Sequence, residues 1–329
     1  MDIMDYVDPD ELEELKELHP QYSGDWEHLY KLLWALRLKA DGRTAWDQFL
    51  AGRGAAGVDL KDVSLNGQDL AGMDLSRADL STAYLINCNL RGTRLRQAQL
   101  SHADLTRAHA AGADLMGAQL GRAILEETDL SGAKVAGAEL IAAQLLRTDF
   151  RNADLRRAAL RSADLSGADF SGADLAGASL EDAHGRDTRF HAAILVEAKL
   201  QLARLEGADF AQAKLHGADL HQVKLRRCLL HNADLRHAVL DRLDGFEADF
   251  TGADLSGAVL TKAILTHADL SAVEFGDADL AGADLFIAHL DGADLSQVRN
   301  LSQEQLDQAK GNAETRIPAG LQRPATWGT

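Results

Sequence analysis

Apolar residues recur along most of this chain with a period of five. Of the 48 multiples of five between Leu60 and Leu295, 38 are occupied by Leu and six by Phe. We call these the centre positions. The residue two places before the centre is Ala in 35 of the 48 units and is small in most of the others. No insertion or deletion interrupts this register.

A period of five matches neither the 3.6-residue repeat of an α-helix nor the two-residue alternation of a long β-strand. The centre residue and the small residue two places before it share the alternation of a short extended segment, so both can point inward. The Gly and Ser residues that follow the centre are typical of turns. Each five-residue unit is therefore one short side of a coil, and it buries its Leu only by stacking on the next coil.

The run resembles the pentapeptide-repeat family, whose pattern is A(D/N)LXX. The stretch ADLSGADFSGADLAGASL at 163–180 shows the motif most clearly, and the resemblance covers about 58–297. It implies an all-β solenoid, namely a right-handed quadrilateral β-helix with four units per coil. The 48 units would then form about 12 coils.

The phenylalanines test the number of units per coil within the sequence. If four units make one coil, residues 20 positions apart lie directly above each other. Five of the six centre phenylalanines then share one of four faces, and only Phe275 does not. The five are Phe150, Phe170, Phe190, Phe210 and Phe250. We expect their rings to form a stacked structural ladder in the core, since strand spacing suits offset ring packing.

Glycine occupies two centre positions on a single face. Gly245 stands beside Leu243, where Ala is usual, and this exchange keeps the interior volume roughly constant. Gly185 stands beside Ala183 without such compensation. The pattern therefore predicts a local bulge or a small void near 184–187.

The ends of the repeat need covers, because a solenoid has two open ends. Residues 1–57 carry helical patterns and are interpreted as a small α-helical cap docked on the first coil, in part through Trp46. Its first helices are longer than a minimal cap, so a role in binding a partner stays open. Residues 298–329 are interpreted as a short cap helix followed by an extended tail that Trp327 anchors.

Net charge, the N-terminal sequence and cysteine content restrict the cellular compartment and the kinds of molecule that the protein can bind. A formal net charge of −17 argues against direct nucleic-acid binding, which needs Lys and Arg to displace counterions. The N-terminus lacks the pattern of a signal peptide, and no apolar run approaches the ~20 residues of a membrane span. Cys88 and Cys228 alone do not make a disulfide framework. We expect a cytoplasmic protein that does not contact a membrane.

Catalytic patterns are missing from the sequence. It contains no phosphate loop, nucleophile elbow, CxxC or HExxH motif. Most of the 12 histidines fall at outward repeat positions and do not converge as metal ligands do. We expect a protein that is not an enzyme and that holds no metal and no cofactor.

A non-catalytic function must then lie on the exterior. One exterior feature is an acidic ladder, a set of Asp residues that each stand one position before a centre residue on the face of the phenylalanine ladder. Its members are Asp129, Asp149, Asp169, Asp209, Asp249 and Asp269. Members of the pentapeptide-repeat family that protect DNA gyrase or related topoisomerases are thought to imitate DNA, so the resemblance implies a DNA mimic as one hypothesis. The competing interpretation is that these carboxylates serve solubility and turn bonding.

Outward apolar residues near the C-terminal coils form the second exterior feature. They are Val239, Phe246, Val259, Ile264, Phe286 and Ile287. Contiguous apolar residues on a surface indicate a contact site for a protein partner or for self-association, including a homodimer. The leading hypothesis is a non-catalytic protein-binding or scaffold protein that presents a rigid acidic rod. A DNA mimic that binds gyrase or a topoisomerase is the alternative, and a secreted effector is a weaker one.

Overall fold

The computed structural model describes residues 9–37, 46–51 and 56–328. They fall into two compact units, of which the first ends at Asp154 and the second begins at Leu155. The predicted N-terminal cap lies in the first unit, and parts of it fall outside the described residues.

Helices occur only at the ends of the described chain, outside the five-residue repeat. Helix α1 spans Pro9–Leu18, helix α2 spans Trp26–Arg37, a helical segment spans 46–50, helix α3 spans Gln303–Gln308 and a 3₁₀ helix spans Ala325–Trp327. Among the described residues, no helix combines the length and the apolar character needed to cross a membrane.

Each five-residue unit is held by a repeated set of backbone hydrogen bonds, which the unit at Leu165 illustrates. The Ala168 N–H donates to the Leu165 oxygen at 2.9 Å and closes the turn. The Leu165 N–H donates to the oxygen of His184 in the next coil at 2.7 Å, and the His184 N–H donates back to Ala163 at 3.0 Å. The second turn residue, Gly167, has a φ of 67°, as a type II turn requires.

Parallel bridges join residues 20 positions apart throughout the repeat. They run from Asp59–Asp79 to Lys134–Asp154 in the first unit and from Ala159–Ser179 to Asp279–Arg299 in the second. Twenty residues are four five-residue units, which is the spacing that the phenylalanine ladder predicts. Below, a face is the set of units that stack at this interval, and a column is the set of residues that share one position on a face.

The core consists of the centre residues and the small residues beside them. All five phenylalanines of the predicted ladder are fully buried, as is Phe275. In the second unit the rings of Phe170 and Phe190 stack with centroids 5.1 Å apart at 8°, and those of Phe190 and Phe210 stack at 4.7 Å and 10°. The twenty-residue step of the sequence therefore corresponds to a physical stack of rings.

Polar side chains at the small inward positions all find the same kind of partner. Each hydroxyl or thiol donates to the backbone oxygen of the centre residue 23 positions earlier, at 2.7–3.0 Å. The donors are Cys88, Thr93, Thr128, Thr148, Thr188 and Cys228. This bond satisfies a donor that burial would otherwise leave unpaired.

The segment 184–187, where the sequence predicts a local bulge or a small void, is irregular. A Cβ placed on Gly185 would collide with the Thr188 hydroxyl and would lie 2.9 Å from the Leu165 Cβ. Residues 186–187 form a bend instead of the usual turn. The predicted segment therefore departs from the regular turn, and atoms of Thr188 and Leu165 lie close to the place of the missing side chain.

Gly245 has the compensation that the sequence predicts. A Cβ at this position would lie 3.3 Å from the Leu265 Cδ2 and 3.5 Å from the Leu243 Cδ2. Leu243 is itself fully buried. Its larger inward side chain therefore fills the volume that a centre leucine would occupy.

The N-terminal cap is joined to the first coils by polar contacts from buried side chains. The indole Nε1–H of Trp46 donates to the Asp74 oxygen at 2.8 Å, and Trp46 is 1% exposed. The His28 Nδ1 accepts from the Asp59 N–H at 3.2 Å. Leu18, at the end of α1, is 69% exposed. Further contacts come from the link between α1 and α2, where the buried Tyr22 hydroxyl donates to the Asp59 oxygen at 2.7 Å, whereas the end of α1 faces solvent.

The C-terminal cap covers the last coils of the second unit. Ser302 and Gln305 form a capping box at the start of α3. The buried Gln305 amide donates to the oxygens of Leu280 and Ala283, each at 2.8 Å. The indole of Trp327, which is 2% exposed, donates to the chain after α3. Backbone acceptors at the end of the solenoid are thereby satisfied by the cap.

Candidate protein-contact surface

The aromatic members of the predicted partner surface form one line on the second unit. Phe246 and Phe286 belong to the same column and are separated by one intervening coil. The ring centroid of His267 lies 5.8 Å from that of Phe246 and 6.4 Å from that of Phe286, with edge-on geometry in both pairs. Phe286 is 49% exposed. The line therefore presents aromatic area to solvent.

The remaining predicted members lie in two places. Ile287 comes directly after Phe286 in the sequence and is half-buried. Ile264 is 41% exposed and lies in the bridge column of the same face, which is the column whose residues form the parallel bridges. Val239 and Val259 form a backbone bridge with each other on the preceding face. The structure thus gathers four of the six residues on one face and places the two valines in a separate apolar spot.

A groove of about 340 Å³ opens beside Phe246. Its lining residues are Arg186, Asp187, Glu206, Gly207, Arg226, Arg227 and Phe246. The Arg226 guanidinium lies 6.0 Å from the Phe246 ring centroid, and its Nε lies 2.7 Å from the Asp244 Oδ2. The Arg227 Nε lies 2.7 Å from the Glu247 Oε2. The groove therefore has arginine walls that ion pairs hold in place beside an aromatic ring.

A column of basic residues lies on the same face. His184, Arg204 and Lys224 occupy its bridge column in three consecutive coils, and all three are exposed. None of the three forms an ion pair with a described residue. Sequence reasoning missed this basic column, although the twenty-residue spacing that reveals the phenylalanine ladder would also have revealed it.

The acidic ladder has a local structural role. All six carboxylates are half-buried, and each Oδ1 accepts a hydrogen bond of 2.9–3.1 Å from the backbone N–H two residues later. Arg189 and Leu229 interrupt the column between its acidic members. The same bond occurs on other faces, as at Asp164, whose Oδ1 accepts from the Ser166 N–H at 3.0 Å. One oxygen of each carboxylate is thus committed to a turn.

Asp149 has the strongest local partner of the six. The Arg151 Nη2 lies 2.6 Å from its Oδ2. Burial raises the pKa of Asp149, but the side-chain and backbone hydrogen bonds from Arg151, together with its charge, outweigh burial and hold the pKa below the ordinary value. This rung of the ladder is an ion pair within the chain.

The two cysteines are chemically protected. Burial raises the pKa of the Cys88 thiol to about 11 and that of the Cys228 thiol to about 12. Since the thiolate is the reactive form, neither side chain is suited to nucleophilic or redox chemistry at neutral pH.

Two histidine side chains pack against each other. The rings of His216 and His237 meet edge-on with centroids 5.4 Å apart. Across the described ranges, no group of three or more His, Cys, Asp or Glu side chains is arranged to hold a metal ion.

Family models for pentapeptide repeats match most of the chain. A model described as "Pentapeptide repeat region" matches residues 58–135. A model described as "Pentapeptide repeats (8 copies)" matches residues 128–167, 163–201, 193–232, 203–242, 224–261 and 263–299. No curated protein matches the chain.

Solved structures of three pentapeptide-repeat proteins are similar to this chain. HetL from the cyanobacterium Nostoc, which is involved in heterocyst differentiation regulation, is 32% identical over 77% of this chain and 93% of HetL, with a TM-score of 0.27. Full-length QnrB1, a plasmid-mediated fluoroquinolone resistance protein, is 20% identical over 62% and 86%, with a TM-score of 0.22. A protein from the Arabidopsis thaliana thylakoid lumen is 30% identical over 35% and 79%, with a TM-score of 0.19.

Proposed function

The chain belongs to the pentapeptide-repeat family, and from this premise we propose that it is a non-catalytic protein-binding or scaffold protein. Its contact surface comprises Phe246, Ile264, Phe286 and Ile287 on one face of the second unit. The separate Val239–Val259 pair lies on the preceding face and is secondary to it.

One observation carries this proposal, namely the aromatic line with Ile264 on the same face. Phe286 and Ile264 are 49% and 41% exposed. An exposed aromatic side chain beside arginines is typical of the residues that dominate binding energy at protein interfaces. The regular turns of the solenoid fix these side chains on a rigid support, which lowers the entropy lost when a partner binds.

An affinity capture tests the proposal. The bait is the full chain, either unaltered or with Phe246→Asp and Phe286→Asp together. Ile141→Asp is the matched control, since Ile141 is 43% exposed in the other unit. We expect a partner that the unaltered and Ile141→Asp baits retain and that the double variant loses by at least tenfold.

The captured partner must then bind the purified chain directly. Equal retention on the double variant would refute the assigned surface. A failure of every purified candidate to bind the unaltered chain would refute the protein-binding role.

The DNA-mimic alternative has less support from the geometry. One carboxylate oxygen at each acidic rung is used in a turn, and Arg189 interrupts the column. DNA carries about one charge per 1.7 Å, whereas one rung per coil gives a charge only about every 4.8 Å. A gyrase supercoiling assay with and without a quinolone tests it, and no effect of the protein on either activity would exclude it.

A further inference from the structure

The face that carries the apolar contact surface also carries a group of exposed basic residues. Three consecutive coils of this face, which follow the coil of Asp164, carry the exposed basic column His184, Arg204 and Lys224. The next three coils carry Asp244, Ile264 and Asp284 in the same column. The face is therefore basic in one half, and acidic and apolar in the other half.

We propose that this face binds a second copy of the same chain in antiparallel orientation. The inference rests on the proposed function, because it uses the same contact surface and names its occupant. A two-fold axis passes between the coil of Lys224 and the coil of Asp244 and runs along the strand direction. This operator leaves each column facing its own copy while it reverses the order of the coils.

The operator pairs unlike groups along the bridge column. Lys224 faces Asp244 of the second copy, whose Oδ2 also lies 2.7 Å from the Nε of its own Arg226, and His184 faces Asp284. Arg204 faces Ile264, over which its aliphatic stem can lie while the guanidinium stays in water. Each pair occurs twice in the dimer, since the interface is isologous.

The adjoining column is complementary in a different way. Its first half carries Arg186 and Arg226 with Glu206 between them, and its other half carries Phe246 and Phe286 with Thr266 between them. The operator places Arg226 opposite Phe246, and Arg186 opposite Phe286, which is the arrangement of cation–π pairs. The groove lined by Arg186 and Arg226 thereby receives the aromatic line of the second copy.

A second copy explains the face better than an unrelated acidic ligand does. Such a ligand would match the basic column but would leave Phe246 and Phe286 exposed. A parallel dimer is disfavoured, because it would place His184, Arg204 and Lys224 against their own copies. Only the antiparallel arrangement uses both halves of the face.

The size of the face sets the expected strength. Six coils at about 4.8 Å span roughly 29 Å, and one five-residue unit at about 3.3 Å per residue spans roughly 16 Å. The two copies together then bury on the order of 900 Å², just below the range of stable complexes. We therefore expect a dimer that dissociates on dilution in the micromolar range.

Sedimentation velocity on the purified full chain is the first test. We expect the unaltered protein and Ile141→Asp to change from monomer to dimer with rising concentration. Phe286→Asp should remain a monomer, with at least a tenfold weaker association. An unaltered protein that stays monomeric up to about 200 µM, above the micromolar affinities of small interfaces, would overturn the proposal.

Cross-linking tests the register. Facing surfaces lie about 10 Å apart, beyond the reach of a disulfide, so a short bis-maleimide reagent is used. Arg204→Cys combined with Ile264→Cys should yield a covalent dimer. Each single variant should not, because the antiparallel operator separates a residue from its own copy by three coils. Lys214→Cys with Glu274→Cys, an exposed pair at the same separation on another face, is the matched control.

The outcomes separate the dimer from the proposed function. Self-linking of the Ile264→Cys single variant would indicate a parallel dimer and would overturn the antiparallel arrangement. Equal linking in the control pair would overturn the assigned face. Monomeric protein that still captures a partner through Phe286 would refute the dimer and leave the protein-binding role in place.

Discussion

Replacing Phe190 with leucine tests whether the phenylalanine ladder does more than fill the core. Phe190 is fully buried between Phe170 and Phe210, with ring centroids 5.1 and 4.7 Å away. A stacked aromatic pair contributes about 0.5–1.5 kcal/mol beyond its buried area, so the loss of two pairs costs about 1–3 kcal/mol. Phe275→Leu is the matched control, since Phe275 is equally buried and stacks on no described ring.

Urea unfolding followed by circular dichroism measures both free energies of unfolding. The two variants should keep the m-value of the parent, so that the shift in midpoint reports stability alone. A double-mutant cycle with Phe210→Leu isolates one stacked pair, and we expect a coupling of about 0.5–1.5 kcal/mol. Equal destabilisation by Phe190→Leu and Phe275→Leu, together with zero coupling, would refute the stacking argument.

Turn geometry, core packing and thiol ionisation give three further predictions. Ala192→Gly should raise the free energy of unfolding by about 0.5–1 kcal/mol, and Gly217→Ala should lower it by a similar amount. The reason is that both positions have positive φ, at 53° and 65°, which glycine adopts more easily than alanine. Changes of the opposite sign in urea unfolding would contradict this. Gly185→Ala should destabilise by about 1–3 kcal/mol, since its Cβ collides with neighbouring atoms, and by more than Gly245→Ala, where contacts are looser; thermal unfolding compares them. The free energy of unfolding should fall as pH rises above about 8.5, the pKa of an unfolded thiol, because the native Cys228 thiol, whose pKa is raised to about 12, keeps its proton. Cys228→Ala should lessen that loss, as measured by urea unfolding from about pH 8 to 11.

The sequence was informative wherever a feature repeats with the coil. The phenylalanine ladder and the exchange of volume between Gly245 and Leu243 were both predicted, because each depends only on the unit length and the number of units per coil. The six contact residues were also identified as outward, and the sequence assigned the valine pair to the face adjoining that of the aromatic line. That separation depends on which face each unit occupies.

Contacts between coils account for what the sequence did not show. The groove beside Phe246 exists because ion pairs fix Arg226 and Arg227 across neighbouring coils. A Cβ on Gly185 would collide because Thr188 and Leu165 approach this position from the same and the preceding coil. Most of these contacts join residues about twenty positions apart through side-chain rotamers that no periodicity specifies.

The five-residue register, the twenty-residue step and the inward or outward direction of nearly every side chain in the repeat can be read from the amino-acid sequence alone. These follow from alternation and turn chemistry within one unit, and both are local. Which charges are free depends instead on the folded chain, where each Asp of the acidic ladder accepts a turn hydrogen bond, while His184, Arg204 and Lys224 form no ion pair with a described residue. The physical reason is that pairing between charges requires distances of a few ångströms, and the coil stacking sets those distances.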